Sequence, residues 1–139
     1  MPIDVELQYG GMGIVLNCHG VLTGNDLIEI HNRILSEPET VKVCRYCTVD
    51  EMDVDSVEVS PQDVQSIAEL SKRVAPFAPA GVLVSLAAPK DVGFGLARVW
   101  EALSEETGWE TMTFRSRAEA DSWIWKRMKE KHGINPPTK

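Results

Sequence analysis

A chain of 139 residues with 43% hydrophobic and 25% charged side chains has room for one domain with one core, and none for two. Its net charge of −7 excludes a generic nucleic-acid surface, because phosphate backbones repel it. No apolar stretch has the length to cross a bilayer, and Met1-Pro2-Ile3-Asp4 is not a basic-then-apolar leader, so a cytoplasmic chain without an integral membrane segment is expected.

The first strand is expected at Ile3-Asp4-Val5-Glu6-Leu7, which alternates apolar and polar as a half-buried strand does. Gly10-Gly11-Met12-Gly13 supplies a hairpin loop, and Ile14 to Cys18 reads as the second strand. Thr23 with Asp26 forms a capping box that opens a helix with Leu27, Ile30, Ile34 and Leu35 on its apolar face, and Pro38 is expected to end it. Val41 to Val49 reads as a buried strand. Ser60-Pro61-Gln62-Asp63 starts a second helix that buries Val64, Ile67, Ala68 and Val74.

Ala80 to Ala88 is nearly all apolar, the pattern of an interior parallel strand covered on both faces. A third helix lies within Pro89 to Gly108, with Leu96, Val99, Trp100 and Leu103 as its inner face. An edge strand at Thr111 to Phe114 leads to a third capping box, Ser116 with Glu119, and to a last helix that packs Ala120, Trp123, Ile124 and Met128. Gly133, followed by Ile134 and Pro136, caps its end. The order ββαβαβαβα predicts an α/β domain over residues 1–134: a mixed, mostly parallel five-stranded sheet with four helices, the first strand antiparallel. Residues 135–139 are expected to form a loose tail.

Three phrases carry a family resemblance. Gly13-Ile14-Val15-Leu16 leading to Gly20-Val21-Leu22-Thr23, the segment Gly93-Phe94-Gly95-Leu96-Ala97-Arg98, and Phe114-Arg115 followed by Ala120 and Trp123 together resemble the SpoIIAA-like, or STAS-like, domains of bacteria. These are similar to anti-sigma-factor antagonists and related in fold to lipid-binding CRAL-TRIO domains. The resemblance implies a STAS-like fold and a non-enzymatic regulatory or binding module, with a protein partner or an apolar, lipid-like ligand and no cofactor. The antagonists carry a phosphorylatable serine in a pattern like Asp-Ser-Ser-Gly at the start of a helix. The matching stretch here is Asp55-Ser56-Val57-Glu58-Val59-Ser60-Pro61, and Ser60 is the positional counterpart, although Pro61 and the neighbouring acids depart from the pattern.

Residues 1–70 carry 13 acids and 3 bases, net −10, while residues 71–139 carry 8 acids and 11 bases, net +3. Asp50, Glu51, Asp53, Asp55 and Glu58 are five carboxylates in nine residues, expected in a solvated loop and without the spacing of a calcium loop. Ser60 either caps its helix or accepts a phosphate there. His19 follows the second strand near Gly20, whereas His31 sits on the apolar face of the first helix as a core or boundary residue. Cys18, Cys44 and Cys47 suit free thiols in a reducing compartment. Cys44 and Cys47 have the spacing of a redox or metal pair, but on one strand their sulfurs point to opposite faces, so a redox enzyme is the third-ranked reading and no metal is expected. Gly93 and Gly95 either admit an anion or allow close packing, with Phe94 free for a pocket or interface. Trp125, beside Lys126, Arg127, Lys129 and Lys131, is a second candidate interface residue, and either aromatic would serve a homodimer. The expected working surface is the rim at the C-terminal ends of the parallel strands: His19 and Thr23, then Asp50, Asp53, Asp55, Ser56 and Ser60, then Lys90, Gly93, Phe94 and Gly95.

Overall fold

The computed structural model describes residues 2–136, so the end of the expected tail lies outside the described residues. It contains β1 (Ile3–Gln8), β2 (Gly13–Thr23), α1 (Gly24–Leu35), α2 (Pro38–Val43), β3 (Tyr46–Glu58), α3 (Pro61–Val74), β4 (Leu83–Ala87), α4 (Asp91–Leu103), β5 (Glu110–Phe114) and α5 (Arg117–His132). Strand order in the sheet equals chain order, β1-β2-β3-β4-β5. β1 pairs antiparallel to β2, and every other pairing is parallel. Three successive crossovers that step the same way across the sheet and share the right-handed preference carry their helices to one face. Accordingly α1, α3 and α4 cover that face, while α5, which returns from the edge strand, packs on the other against β3, β4 and β5.

Local chemistry accounts for most of the boundaries. Thr23 Oγ1 accepts the Asp26 N–H at 3.1 Å and Asp26 returns a carboxylate to the Thr23 N–H at 3.3 Å, satisfying two of the donors that a helix start leaves free. Ser60 and Asp63 repeat the device at 3.1 and 2.9 Å. At Ser116 the Glu119 N–H is capped, but the Glu119 carboxylate takes the Ser116 hydroxyl, not its backbone, so the box is half formed. Gly133 ends α5 with φ +66°, its N–H on Lys129 O and the Ile134 N–H on Met128 O.

Three expectations are corrected. Val41 to Val49 is not one strand: Pro38 opens α2, whose last residue is Val43, and β3 begins at Tyr46. Proline stops a helix only from within; at a first position its fixed φ and missing N–H suit the helix, which is how a fifth helix arises. Asp50 to Glu58 is not a loop but the outer part of the 13-residue β3. On α4 the buried residues are Gly93, Ala97 and Trp100, whereas Val99 and Leu103 are 43% and 36% exposed, so the inner face is rotated from the one read off the apolar spacing. β4 matches its expectation, with all five residues buried between β3 and β5.

The two faces have separate cores. Ile14, Leu16, Val49, Val84 and Leu86 meet the helices of the α1 side, and Tyr46 and Leu83 meet Ile124 and Met128 of α5. Thr48 and Ser85 share a buried hydroxyl bond of 2.9 Å on the α5 side. Arg117 ties that helix to the sheet through Asp50 at 3.0 Å, and Arg127 grips Glu110 with two bonds of 2.5 and 2.8 Å.

Gly13 lies directly under the Tyr46 ring, where a Cβ would overlap ring atoms, while a Cβ at Gly95 would meet nothing within 4 Å. Gly13→Ala should therefore destabilise the domain by about 1–3 kcal/mol, and Gly95→Ala should stabilise it by about 0.5–1 kcal/mol through helix propensity. Urea denaturation of the two variants against the parent checks both signs.

Candidate functional site

On the α1 side the helices stand off the sheet around an apolar cavity of about 140 Å³. Leu16, Leu22, Val49 and Leu86 form its floor, Ile67 of α3 and Ala97 of α4 its roof. Set into this lining are His31, Glu51, Ser71 and the indoles of Trp100 and Trp109. Ser71 donates its hydroxyl to Ile67 O at 3.0 Å and His31 Nδ1 donates to Leu27 O at 2.6 Å, so both are satisfied within their own helices. Burial lowers the His31 pKa and leaves the ring neutral. Trp100 Nε1 is different: it is buried, lines the cavity and has no hydrogen-bond partner.

Glu51 reaches the cavity on the regular alternation of β3, on the same face as Cys47 and Val49, and the strand becomes irregular directly after it. Pairing runs from Asn17 with Asp50 to His19 with Asp53, so Glu51 and Met52 together face the single residue Cys18. A second shift leaves Asp55 unpaired between Val54 and Ser56. Each extra residue inverts the alternation that follows, and these bulges keep Glu51, Val54 and Val57 turned to the same side. Asp50 holds the first bulge by accepting the Met52 N–H at 2.8 Å, while its other oxygen takes Arg117 on the opposite face of the sheet. Glu51 itself is 8% exposed, and the influences on its carboxyl are burial and the negative charge of Asp50, which together raise its pKa to about 7. Its Oε1 lies so near Gly93 that a Cβ on that glycine would be 2.6 Å away.

The expected rim residues are distributed unevenly around this site. Gly93 lines the cavity; it lies in the first turn of α4 with Phe94 and Gly95, so the glycine pair is helical and Glu51, not an external anion, lies against it. Phe94 is half-buried under Arg115, whose guanidinium carbon is 4.1 Å from the ring centre and whose Nη1 donates to Asp91 at 2.8 Å. Lys90 precedes α4 in an exposed position. Thr23 and Ser60 cap adjoining helix starts, and the Asp63 carboxylate fills the space beside Gly24. His19 is exposed and reaches Asp4 at 3.2 Å, pairing in register with exposed Asp53; Asp55 and Ser56 are also exposed. Trp125 is half-buried on the far face, with edge-on contacts to Tyr9 at 5.8 Å and Tyr46 at 5.4 Å.

The cysteines also differ from their spacing. Cys44 caps the end of α2 and is not part of β3, so it and Cys47 both line the cavity, where opposite faces were expected. Burial pushes Cys44 up to about 11 and Cys18 and Cys47 further, so all three are thiols at neutral pH and the redox reading has no ready thiolate. Among the described residues no three His, Cys, Asp or Glu side chains gather as a metal-ligand set.

Glu51 and Trp100 were not singled out by the sequence. Glu51 was hidden among four exposed or half-exposed acids, and its inward turn shows only once that segment is strand, where it alternates with Cys47 and Val49. A folded-state pKa raised from 4.5 to about 7 favours the protonated form, so stability should fall as pH rises between these values and level off above them. Glu51→Gln removes that slope. Its urea-derived stability relative to the parent should improve by on the order of 3 kcal/mol between pH 4 and pH 8; an unchanged difference would place the carboxyl in solvent.

No family model matches the sequence, and no curated protein does. Among solved structures, the chain is similar to an uncharacterised protein of the DUF3478 family from Shewanella loihica, described as having a SpoIIAA-like fold. The two are 15% identical and superpose with a TM-score of 0.55 over 88% of this chain and 91% of the other. No helix among the described residues is long and apolar enough to cross a membrane. Sequential strand order, one antiparallel first strand and this superposition agree: the chain has a SpoIIAA-like, STAS-like fold.

Proposed function

We propose that this domain is a non-enzymatic binding module that takes a small apolar molecule into the cavity between the sheet and helices α1, α3 and α4. The observation that supports the reading is the cavity itself, about 140 Å³ of mostly aliphatic lining within a close-packed fold. An apolar protein cavity of roughly 150 Å³ is large enough to hold benzene. Trp100 Nε1, buried and without a partner, and the carboxyl of Glu51, a residue 8% exposed, are the kind of sparse handles that orient a ligand in an apolar site. The expected rim meets the cavity at Gly93, and exposed Val21 and Met52 on the outer β2–β3 ribbon favour that rim as the surface on which a protein partner would sense the filled state.

The reading is tested by titrating toluene into ¹⁵N-labelled protein and following amide and indole resonances. Saturable shifts should concentrate on cavity residues such as Ala97 and on the Trp100 indole. Ala97→Phe, which fills the roof with a ring, should abolish them while the remaining spectrum stays folded. Shifts that never saturate, or that persist in the filled variant, would overturn the proposal.

A further inference from the structure

Glu51 is a carboxyl in a compartment that holds no cation to meet it. Of the side chains lining the cavity, His31 is the only base, and burial lowers its pKa against the opposing effect of its bond to Leu27 O. The guanidinium of Arg117, from α5, is bound to the neighbouring Asp50 on the opposite face of the sheet. Glu51 makes no ion pair or side-chain hydrogen bond among the described residues, and its oxygen rests beside the bare backbone of Gly93. Removing a carboxylate from water without a partner is costly, so a group that brings a positive charge and N–H donors into the cavity would gain more here than in solvent.

The surroundings select for the same sign. Asp53, Asp55 and Glu58 lie exposed further along the same strand, and residues 1–70 are net −10, so the strand beyond Glu51 is anionic. An anionic ligand would meet repulsion at each step, whereas a cation would be drawn in. The remaining lining is apolar, which demands that the cation ride on a hydrocarbon body. Resting on the apolar-ligand reading above, we infer that the cavity takes a small apolar amine, its ammonium on the Glu51 carboxylate and its aliphatic or aromatic body against Leu16, Leu86 and Ala97.

Three probes of nearly equal shape separate this inference from the reading beneath it: benzylamine, benzyl alcohol and toluene, each titrated by calorimetry into the parent protein and into Glu51→Gln. In the parent, benzylamine should bind about tenfold or more tightly than the two neutral probes, the gain of a charge-assisted bond over a neutral one. In Glu51→Gln that preference should vanish, while toluene affinity stays within about threefold of the parent value. Toluene or benzyl alcohol binding the parent as tightly as benzylamine would overturn the amine assignment and leave the cavity reading standing. A benzylamine preference that survives in Glu51→Gln would also overturn it. Failure of all three to bind the parent would overturn the cavity reading and the inference together. The comparison among probes in the parent decides the question even if the variant does not fold.

Discussion

One extra residue in β3 opposite Cys18 lets the strand keep presenting its inward face to the cavity beyond Glu51. Without it, the alternation of the strand would send Val54 and Val57 to the wrong side of the sheet. With it, Glu51 and the two valines share the face that α1, α3 and α4 cover. The bulge is stabilised from within, since Asp50 accepts the Met52 N–H and is itself anchored by Arg117 from α5. The helix on one side of the sheet thereby helps hold the geometry of the cavity on the other.

The two faces resolve their polar groups in opposite ways. On the α5 side, Thr48 pairs with Ser85, Arg117 with Asp50 and Asp121, and Arg127 with Glu110, so the helix is secured by satisfied bonds as well as by Ile124 and Met128. On the other side, Trp100 Nε1 remains without a partner, and the carboxyl of Glu51, a residue 8% exposed, lies in an otherwise apolar space. A buried polar group without a partner opposes stability, and such conflicts between local chemistry and packing are expected at functional sites. That asymmetry, more than any motif, distinguishes the cavity face from the face that only packs.

Much of the fold could be read locally. Thr23 with Asp26, Ser60 with Asp63 and Gly133 declare helix ends within three or four residues, and the apolar run around β4 declares an interior strand. Where a residue has two opposite uses, reading failed: Pro38 terminates a helix from inside and starts one from its first position. The outer part of β3 was illegible for a different reason, since two bulges break its alternation and its acids imitate a loop. The candidate site was legible only at Gly93. Glu51 was lost because its acidic segment imitates a loop, and Trp100, expected on the inner face of α4, gave no local sign that its indole N–H would lack a partner.

The central claim is that Glu51 keeps its carboxyl buried and uncompensated in the free protein. Its most direct measurement is the ¹³C chemical shift of the Glu51 side-chain carboxyl followed against pH, with assignment by Glu51→Gln. Burial beside Asp50 predicts a titration midpoint of about 7. A midpoint near the ordinary 4.5 would show a solvated carboxylate and contradict the cavity geometry on which the ligand assignment stands.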